Sequence, residues 1–255
     1  MTLARRIRRG TLRVLAVLCV LVVLAVLALV LWARTGVMPA EPAPLDAVLE
    51  DPGITVEESS TAMVMRPADD AEAGDVGLVF YPGAKVEAEA YAERLSDLVT
   101  EEGMSVVIVK PWLHLALFDP RGTDTFTARV PSVTTWMVGG HSMGGVRACL
   151  AAEDVDALVL LASYCSTDLS ASGLPVLSLA GSEDGLSTPE KVDGARDLLP
   201  ADAEMVEIEG ASHASFGDYG PQPGDGTPTI TDPAMDAVVT AEVGDLAQAV
   251  GPNGD

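Results

Sequence analysis

Short strand-like segments, several of them apolar throughout, alternate along this chain with segments of helical spacing. A strand with one face in water would alternate apolar and polar residues, so the apolar segments indicate strands buried on both faces. Repeated alternation of strand and helix is typical of an α/β fold, a mostly parallel sheet with helices on both faces. The predicted strands are 61–66, 76–81, 105–109, 134–138, 156–162, 175–180 and 205–208, and the predicted helices are 88–102, 142–153, 189–199 and 233–250.

One apolar run near the N-terminus differs from all of these. Val14 to Ala33 is twenty consecutive apolar residues, which as a helix spans about 30 Å, the thickness of a membrane hydrocarbon core. The apolar part of a cleaved signal peptide is shorter, about 7–15 residues, and Trp32 is placed like an interfacial anchor. We therefore predict a single-pass transmembrane helix at residues 14–33, with secretion after signal cleavage as the alternative.

Charge is distributed unevenly around this run. Five arginines precede it, one follows, and no acidic residue occurs before Glu41. The positive-inside rule then places residues 1–13 in the cytoplasm and the rest of the chain outside it, anchored to the cell membrane. After Arg34 the chain has nine basic and thirty-eight acidic residues, a formal balance of −29. Such a surface repels nucleic acid, so no nucleic-acid partner is expected.

Composition also suggests how the remainder is divided. Gly36 to Pro52 is rich in proline, alanine and acidic residues, which is typical of an extended linker. We assign residues 34–57 to the linker and 58–255 to a globular domain. Within that domain the interval from Ser163 to Leu174 has twelve residues. It is too short for a multi-helix cap, so no large cap is expected over the sheet.

The three cysteines do not form a recognisable framework. Cys19 lies in the apolar run, which leaves Cys149 and Cys165 as the two that could pair. Their spacing has no metal-ligand signature, and we interpret both as packing residues of the core. No metal, nucleotide or organic cofactor is expected.

The sequence Gly140-His141-Ser142-Met143-Gly144 is a G-x-S-x-G motif. It follows a predicted strand and begins a predicted helix, the context required of a nucleophile elbow. Glycines suit the sharp turn, and the helix N-terminus adds free N–H groups. A chance turn in a chain with 24 glycines is the alternative. The pattern predicts Ser142 as a nucleophile.

A serine nucleophile needs a base, and the chain has three histidines. His141 is adjacent to Ser142 in a tight turn, so its ring should point away from the hydroxyl. His114 is expected at the pocket rim. His213 follows the strand 205–208, at the carboxyl end of the sheet where ligands bind in open α/β folds. We therefore predict His213 as the base.

The base needs a carboxylate that orients it. Strand 175–180 is followed by Gly181-Ser182-Glu183-Asp184-Gly185. We predict Asp184, with Glu183 as the competitor, because a short carboxylate before glycine suits a turn aimed inward. The chain order Ser, Asp, His is the order of the α/β-hydrolase triad.

An oxyanion hole requires two backbone donors. One is expected to be the N–H of Met143, directly after the nucleophile. The other should come from the loop after strand 76–81, where Pro82 has no N–H. We predict the Ala84 N–H, with the Lys85 N–H as the alternative.

These motifs together resemble the α/β-hydrolase superfamily, in particular a compact bacterial branch, the fold-5 type, which is related to dienelactone hydrolases. The resemblance covers roughly residues 60–250. It implies the α/β-hydrolase fold and hydrolysis of an ester-like bond. Dienelactone hydrolases have cysteine where this chain has Ser142, which argues against their substrate, and Ser212 stands where relatives commonly have asparagine. The matching stretches are 80–86, 139–145, 161–164, 181–185 and 208–225.

The expected function is cleavage of a carboxylic ester or thioester, in a small-molecule acyl substrate, through an acyl-enzyme on Ser142. A catalytically silent anchored binding domain and an acyltransferase are the alternatives. Without a cap the pocket should be open and shallow, which favours short acyl groups. Its expected apolar walls are Trp112, Leu113, Leu117, Phe216 and Tyr219.

Overall fold

The computed structural model describes residues 3–69 and 71–252. It divides into two compact units, residues 1–37 and 38–255. In the first unit a single helix, α1 (Leu3–Arg34), contains the apolar run. Its segment Gly10–Arg34 is long and apolar enough to cross a membrane, although a signal sequence near an N-terminus has the same properties.

The second unit is built around an eight-stranded sheet with strand order β1-β2-β4-β3-β5-β6-β7-β8. The pairs β1–β2 and β2–β4 are antiparallel, and every other neighbouring pair is parallel. The mostly parallel sheet predicted from the sequence is therefore confirmed. The strands are β1 (Ile54–Glu58), β2 (Ala62–Pro67), β3 (Val76–Tyr81), β4 (Ser105–Val109), β5 (Thr135–His141), β6 (Ala157–Leu161), β7 (Val176–Gly181) and β8 (Glu204–Ile208).

Helices cover both faces of this sheet. Strand β3 is buried on both faces. Leu78 and Phe80 enter one core cluster, while Val79 and Tyr81 enter the other, so its residues are apolar without alternation. The α-helices of the unit are α2 (Pro42–Glu50), α3 (Ser96–Thr100), α4 (Asp124–Thr127), α5 (Met143–Leu150), α6 (Pro189–Asp193) and α7 (Asp232–Val250). Short 3₁₀ helices lie at Ala88–Tyr91, Trp112–His114, Ala116–Phe118, Ala152–Asp154, Arg196–Leu198 and His213–Phe216.

The linker assignment for residues 34–57 is wrong over most of its length. Residues 42–50 form α2 and residues 54–58 form β1, so the compact unit begins at Met38. Pro42 is at the start of α2, where a missing N–H costs nothing. Val48 is buried in the core, and Leu45 packs against it. This burial stabilises a segment whose composition resembles a linker.

The predicted helix 88–102 is interrupted in the structure. A 3₁₀ turn ends at Tyr91, and α3 begins only at Ser96. Between them Arg94 turns inward, with 1% of its surface exposed, to form ion pairs with Asp218 and Asp236. The predicted helices 142–153 and 189–199 also end early, each continuing as a 3₁₀ turn.

Cys149 and Cys165 are packing residues of the core, as predicted, and they also form the pair that the sequence left open. Both are buried in one core cluster, and the pair is a disulfide. Cys149 is on α5, and the parallel return of the chain through β6 brings Cys165 to a Cα–Cα distance of 5.6 Å from it, which suits a disulfide. The bond therefore connects the helix behind Ser142 to the loop after β6.

Residues 163–174, between β6 and β7, contain neither helix nor strand. This confirms that no large cap is inserted at this position. The carboxyl edge of the sheet is bordered instead by short loops and 3₁₀ turns.

Candidate active site

The turn between β5 and α5 holds Ser142 in an unusual backbone conformation. Its φ is 53° and its ψ is −122°, in a region that L-residues rarely occupy. Two neighbours fix this geometry. The Ser142 N–H donates to the carbonyl of Leu161 at 3.0 Å, and the Ser163 hydroxyl donates to the Ser142 carbonyl at 2.6 Å. The strained turn therefore presents the Ser142 side chain at the carboxyl edge of the sheet, as a nucleophile elbow does.

Glycine is required on either side of Ser142. A Cβ on Gly140 would lie 2.3 Å from the carbonyl carbon of Gly144. A Cβ on Gly144 would lie 2.0 Å from the carbonyl oxygen of Tyr81 and 2.5 Å from that of Pro82. The start of α5 is therefore packed directly against the turn that follows β3.

The structure brings His213 and Asp184 together. His213 Nδ1 lies 2.8 Å from Asp184 Oδ2, and both residues are buried. The other carboxylate oxygen of Asp184 accepts the N–H groups of Leu186 and Ser187, each at 2.7 Å. The competing carboxylate, Glu183, is exposed. Asp184 is thus the acid that contacts a histidine, and it leaves Nε2 of that ring available.

Ser142 is not joined to this pair by a hydrogen bond among the described residues, and the residue is partly exposed. The preceding residue, His141, does contact this pair, since its ring centroid lies 4.5 Å from that of His213. Catalytic hydrogen bonds are often long in a structure without substrate and shorten when it binds.

His141 has both ring nitrogens engaged, as expected for a ring that points away from Ser142. Nε2 lies 3.1 Å from the His213 carbonyl oxygen, and Nδ1 lies 2.9 Å from the Tyr91 hydroxyl. Burial lowers the pKa of His141 well below its usual value, and the nearby His213 ring lowers it further. His141 is therefore neutral and has no free nitrogen with which to act as a base.

The predicted oxyanion donors lie on the two segments that Gly144 brings together. Ala84 is flanked by two fixed N–H groups, since Gly83 donates to the Tyr91 hydroxyl at 3.0 Å and Lys85 to the His114 carbonyl at 2.8 Å. The Lys85 N–H is therefore already engaged, which removes the alternative donor. No described hydrogen bond uses the N–H of Ala84 or of Met143.

A family model described as the alpha/beta hydrolase family matches residues 77–237, more than half of the chain. The chain belongs to the alpha/beta hydrolase family. The match begins in β3 and continues into α7, so it includes the Ser142 turn and the loops of Asp184 and His213. The resemblance inferred from the motifs is thereby confirmed. Comparison with curated proteins found no match.

Sequence reasoning assigned no role to one residue that organises this candidate site. Asp225 accepts the N–H groups of His213 at 3.0 Å, Ala214 at 2.8 Å, Gly185 at 3.1 Å and Gly226 at 2.7 Å. Burial acts to raise the pKa of its carboxyl, but the four N–H donors outweigh this and lower it. Asp225 thus connects the loop of the acid to the loop of the histidine. A Gly-Asp-Gly sequence at 224–226 was its only local signal.

Two of the expected pocket walls belong to the core instead. Phe216 is fully buried and Tyr219 is 6% exposed, both within the cluster that contains Tyr91. Their rings pack on His141 at centroid distances of 6.0 and 6.2 Å, so they support the site from below. Trp112 is 60% exposed.

The loop from Trp112 to Phe118 packs against α5 and borders the oxyanion loop through His114. Leu113 and Leu117, the two other expected walls on it, are partly exposed. Among the described residues, no group of three or more His, Cys, Asp or Glu side chains is arranged to hold a metal ion.

Proposed function

We propose that this alpha/beta hydrolase cleaves carboxylic esters or thioesters with Ser142 as nucleophile, His213 as base and Asp184 as the carboxylate that orients the base. The observation that carries the proposal is the strained Ser142 turn beside a buried His213–Asp184 pair, with Nδ1 and Oδ2 2.8 Å apart. Because Asp184 occupies Nδ1, the proton-accepting nitrogen is Nε2, as base catalysis requires.

In the proposed reaction the Ser142 oxygen attacks the acyl carbon while His213 Nε2 takes its proton. The Met143 and Ala84 N–H groups stabilise the oxyanion of the tetrahedral intermediate. The bond to the alcohol or thiol then breaks, and that leaving group takes the proton from His213. Water attacks the acyl-enzyme after giving a proton to His213, and the carboxylic acid is released as Ser142 regains its proton.

The open surroundings of Ser142 support short acyl groups as substrates. Residues 163–174 form no cap, and Phe216 and Tyr219 are core residues, so the remaining expected walls are on the loop around Trp112. Each CH₂ that a substrate cannot bury forfeits about 0.8 kcal/mol of binding. We expect kcat/KM to stay level or fall from butyryl to palmitoyl 4-nitrophenyl esters, and a steep rise would reveal an acyl channel.

We further propose that α1 anchors the protein in the cell membrane, with the hydrolase unit on the extracytoplasmic side. Five arginines precede the apolar run and one follows it. The Cys149–Cys165 disulfide supports the same side, because such bonds persist in oxidising compartments and are rare in the cytosol. Secretion after cleavage would place the unit on that side as well.

Protease added to spheroplasts tests this topology. The anchored arrangement predicts digestion of the hydrolase unit without lysis and recovery of the full-length chain in the membrane fraction before digestion. Release of a shortened chain into the medium would indicate signal cleavage, and protection until lysis would reverse the orientation.

A fluorophosphonate probe tests the nucleophile itself. Wild type should be labelled at Ser142, Ser142→Ala should not be labelled, and Ser172→Ala, a substitution at an exposed residue between β6 and β7, should match wild type. A folded wild-type protein that resists labelling and hydrolyses no ester would favour a silent binding domain. Product analysis in the presence of an added alcohol separates hydrolysis from acyl transfer.

A further inference from the structure

A chain of buried hydrogen bonds runs beneath the candidate active site. It joins the Gly83 N–H to the Tyr91 hydroxyl at 3.0 Å, this hydroxyl to His141 Nδ1 at 2.9 Å, and His141 Nε2 to the His213 carbonyl at 3.1 Å. The four residues are buried. The three links join residues that are 8, 50 and 72 positions apart in the sequence.

The direction of every bond follows from the groups at its two ends. A backbone N–H can only donate, so the Tyr91 oxygen accepts from Gly83 and its proton points to His141 Nδ1. The His213 carbonyl can only accept, so Nε2 of His141 carries the ring proton. One arrangement of protons therefore satisfies all three bonds, and it requires the neutral ring that burial favours.

The two ends of this chain lie on the two loops whose positions matter most to the proposed reaction. Gly83 precedes Ala84, the proposed oxyanion donor, and the carbonyl of His213 belongs to the proposed base. A Cβ on Gly83 would lie 2.9 Å from His141 Nδ1 and 3.1 Å from the Tyr91 oxygen, so only glycine allows this approach. His141 itself directly precedes Ser142.

We propose that Tyr91 and His141 are positioning residues that set the oxyanion loop and the base loop in register with the nucleophile. The inference rests on the proposed hydrolase function and extends it. Tyr91 and His141 do not touch the reacting atoms. They fix the Ala84 N–H relative to His213 Nε2, and small displacements of either group weaken transition-state stabilisation more than substrate binding.

Tyr91→Phe, compared with Tyr219→Phe, tests the role of the hydroxyl. Both rings are buried in the same cluster and pack against His141, at centroid distances of 5.7 and 6.2 Å. The Tyr219 hydroxyl, however, donates to Gln222 at 3.2 Å and is outside the hydrogen-bond chain. With the full-length chain in detergent and 4-nitrophenyl butyrate as substrate, Tyr91→Phe should lower kcat roughly tenfold, with KM changed less than about twofold. Tyr219→Phe should leave both within about twofold.

His141→Gln and His141→Leu give a second, independent comparison. Glutamine can donate and accept as the neutral ring does, whereas leucine fills similar space and can do neither. His141→Gln should retain several-fold more kcat than His141→Leu. Equal losses in the two variants, or equal effects of Tyr91→Phe and Tyr219→Phe, would overturn the positioning role.

The same measurements separate this inference from the proposed function. If wild type neither labels with fluorophosphonate nor hydrolyses the ester, the function has failed and the positioning role fails with it. If wild type is active and Tyr91→Phe matches it, the function stands and the positioning role alone is wrong. A fall in kcat confined to Tyr91→Phe and His141→Leu would establish the role.

Discussion

The Ser142 turn and the His213 loop bring their side chains to the same edge of the sheet by different means. The turn depends on its own glycines, since Gly140 and Gly144 allow the close packing that a strained Ser142 needs, and on two hydrogen bonds to the segment after β6. The loop has a local capping box between Ser212 and Ser215. It is also held by partners elsewhere, chiefly Asp225 and the buried ring of His141.

This difference predicts how each region fails. A substitution within the turn should disrupt the proposed nucleophile directly, whereas the proposed base should be vulnerable to substitutions at residues that never meet the substrate.

Substitution of the base or its acid should have the largest effect. His213→Ala and Asp184→Asn should each lower kcat by about 10³-fold or more, because the proton acceptor is lost or its tautomer is no longer fixed. Glu183→Gln is the matched control, since its carboxylate is exposed beside Asp184, and it should retain wild-type activity. Steady-state kinetics measure these changes. Wild-type activity in Asp184→Asn would show that Asp184 has no role in the mechanism.

Gly144→Ala should disrupt the turn that holds Ser142. The added Cβ would lie 2.0 Å from the Tyr81 carbonyl oxygen, so α5 or the turn after β3 must move. We expect kcat to fall about 100-fold, on the scale of losing an oxyanion donor. Gly173→Ala is the control, because nothing lies within 4 Å of that Cβ, although its positive φ carries a small cost. Unchanged kinetics for Gly144→Ala would show that the turn is not rigid.

Asp225→Ala should disturb the His213 loop, which depends on contacts distant in sequence. Four backbone N–H groups lose their acceptor, including that of His213, and kcat should fall about 10- to 100-fold. Asp168 offers a matched control, since it accepts the N–H and hydroxyl of Ser170 in an exposed loop. Asp168→Ala should leave kcat unchanged. If the two variants behave alike, the histidine loop does not depend on Asp225.

The smallest effect concerns pH and the ion cluster around Arg94. Burial raises the pKa of Asp236 to about 7 and that of Asp218 to about 6; Arg94 opposes this, and nearby carboxylates reinforce it. The fold thus binds protons that the unfolded chain, with an aspartate pKa near 4, releases. Its stability is then greatest at low pH and falls as pH rises through these values. We expect the free energy of unfolding to drop by roughly 1–2 kcal/mol from pH 5 to pH 8.

Urea unfolding at the two pH values measures this change. Asp236→Asn should flatten it, whereas Asp232→Asn should not, because the Asp232 carboxylate is largely exposed. A stability that rises from pH 5 to pH 8 in wild type would contradict the sign. Since Asp218 also donates its N–H to the Ala90 carbonyl, the cluster connects the histidine loop to the segment that carries Tyr91.

The same contrast explains what could be predicted from the sequence. The Ser142 motif is local, and Asp184 and His213 each follow a segment that the sequence predicts as a strand, so their meeting at one edge could be expected. Asp225 and Tyr91 could not be found in this way, because their roles depend on partners that only the folded chain supplies. The Cys149–Cys165 disulfide could not be predicted for a related reason, since pairing depends on where the chain returns after β6. Helix α2 was missed because its proline and acidic residues resemble a linker until Leu45 and Val48 meet the core.

The order of the strands has a consequence for how copies of the protein behave in solution. It leaves β1 and β8 at the two edges of the sheet, where unpaired backbone groups can template aggregation. Both edges carry exposed glutamates, Glu57 and Glu58 on β1 and Glu204 and Glu207 on β8. At neutral pH the charges on β8 repel a second sheet, whereas Glu57 and Glu58 are ion-paired with Arg66 and Lys110. Acid that protonates carboxylates removes the repulsion, so precipitation through edge-to-edge pairing is expected there even while the core stays folded.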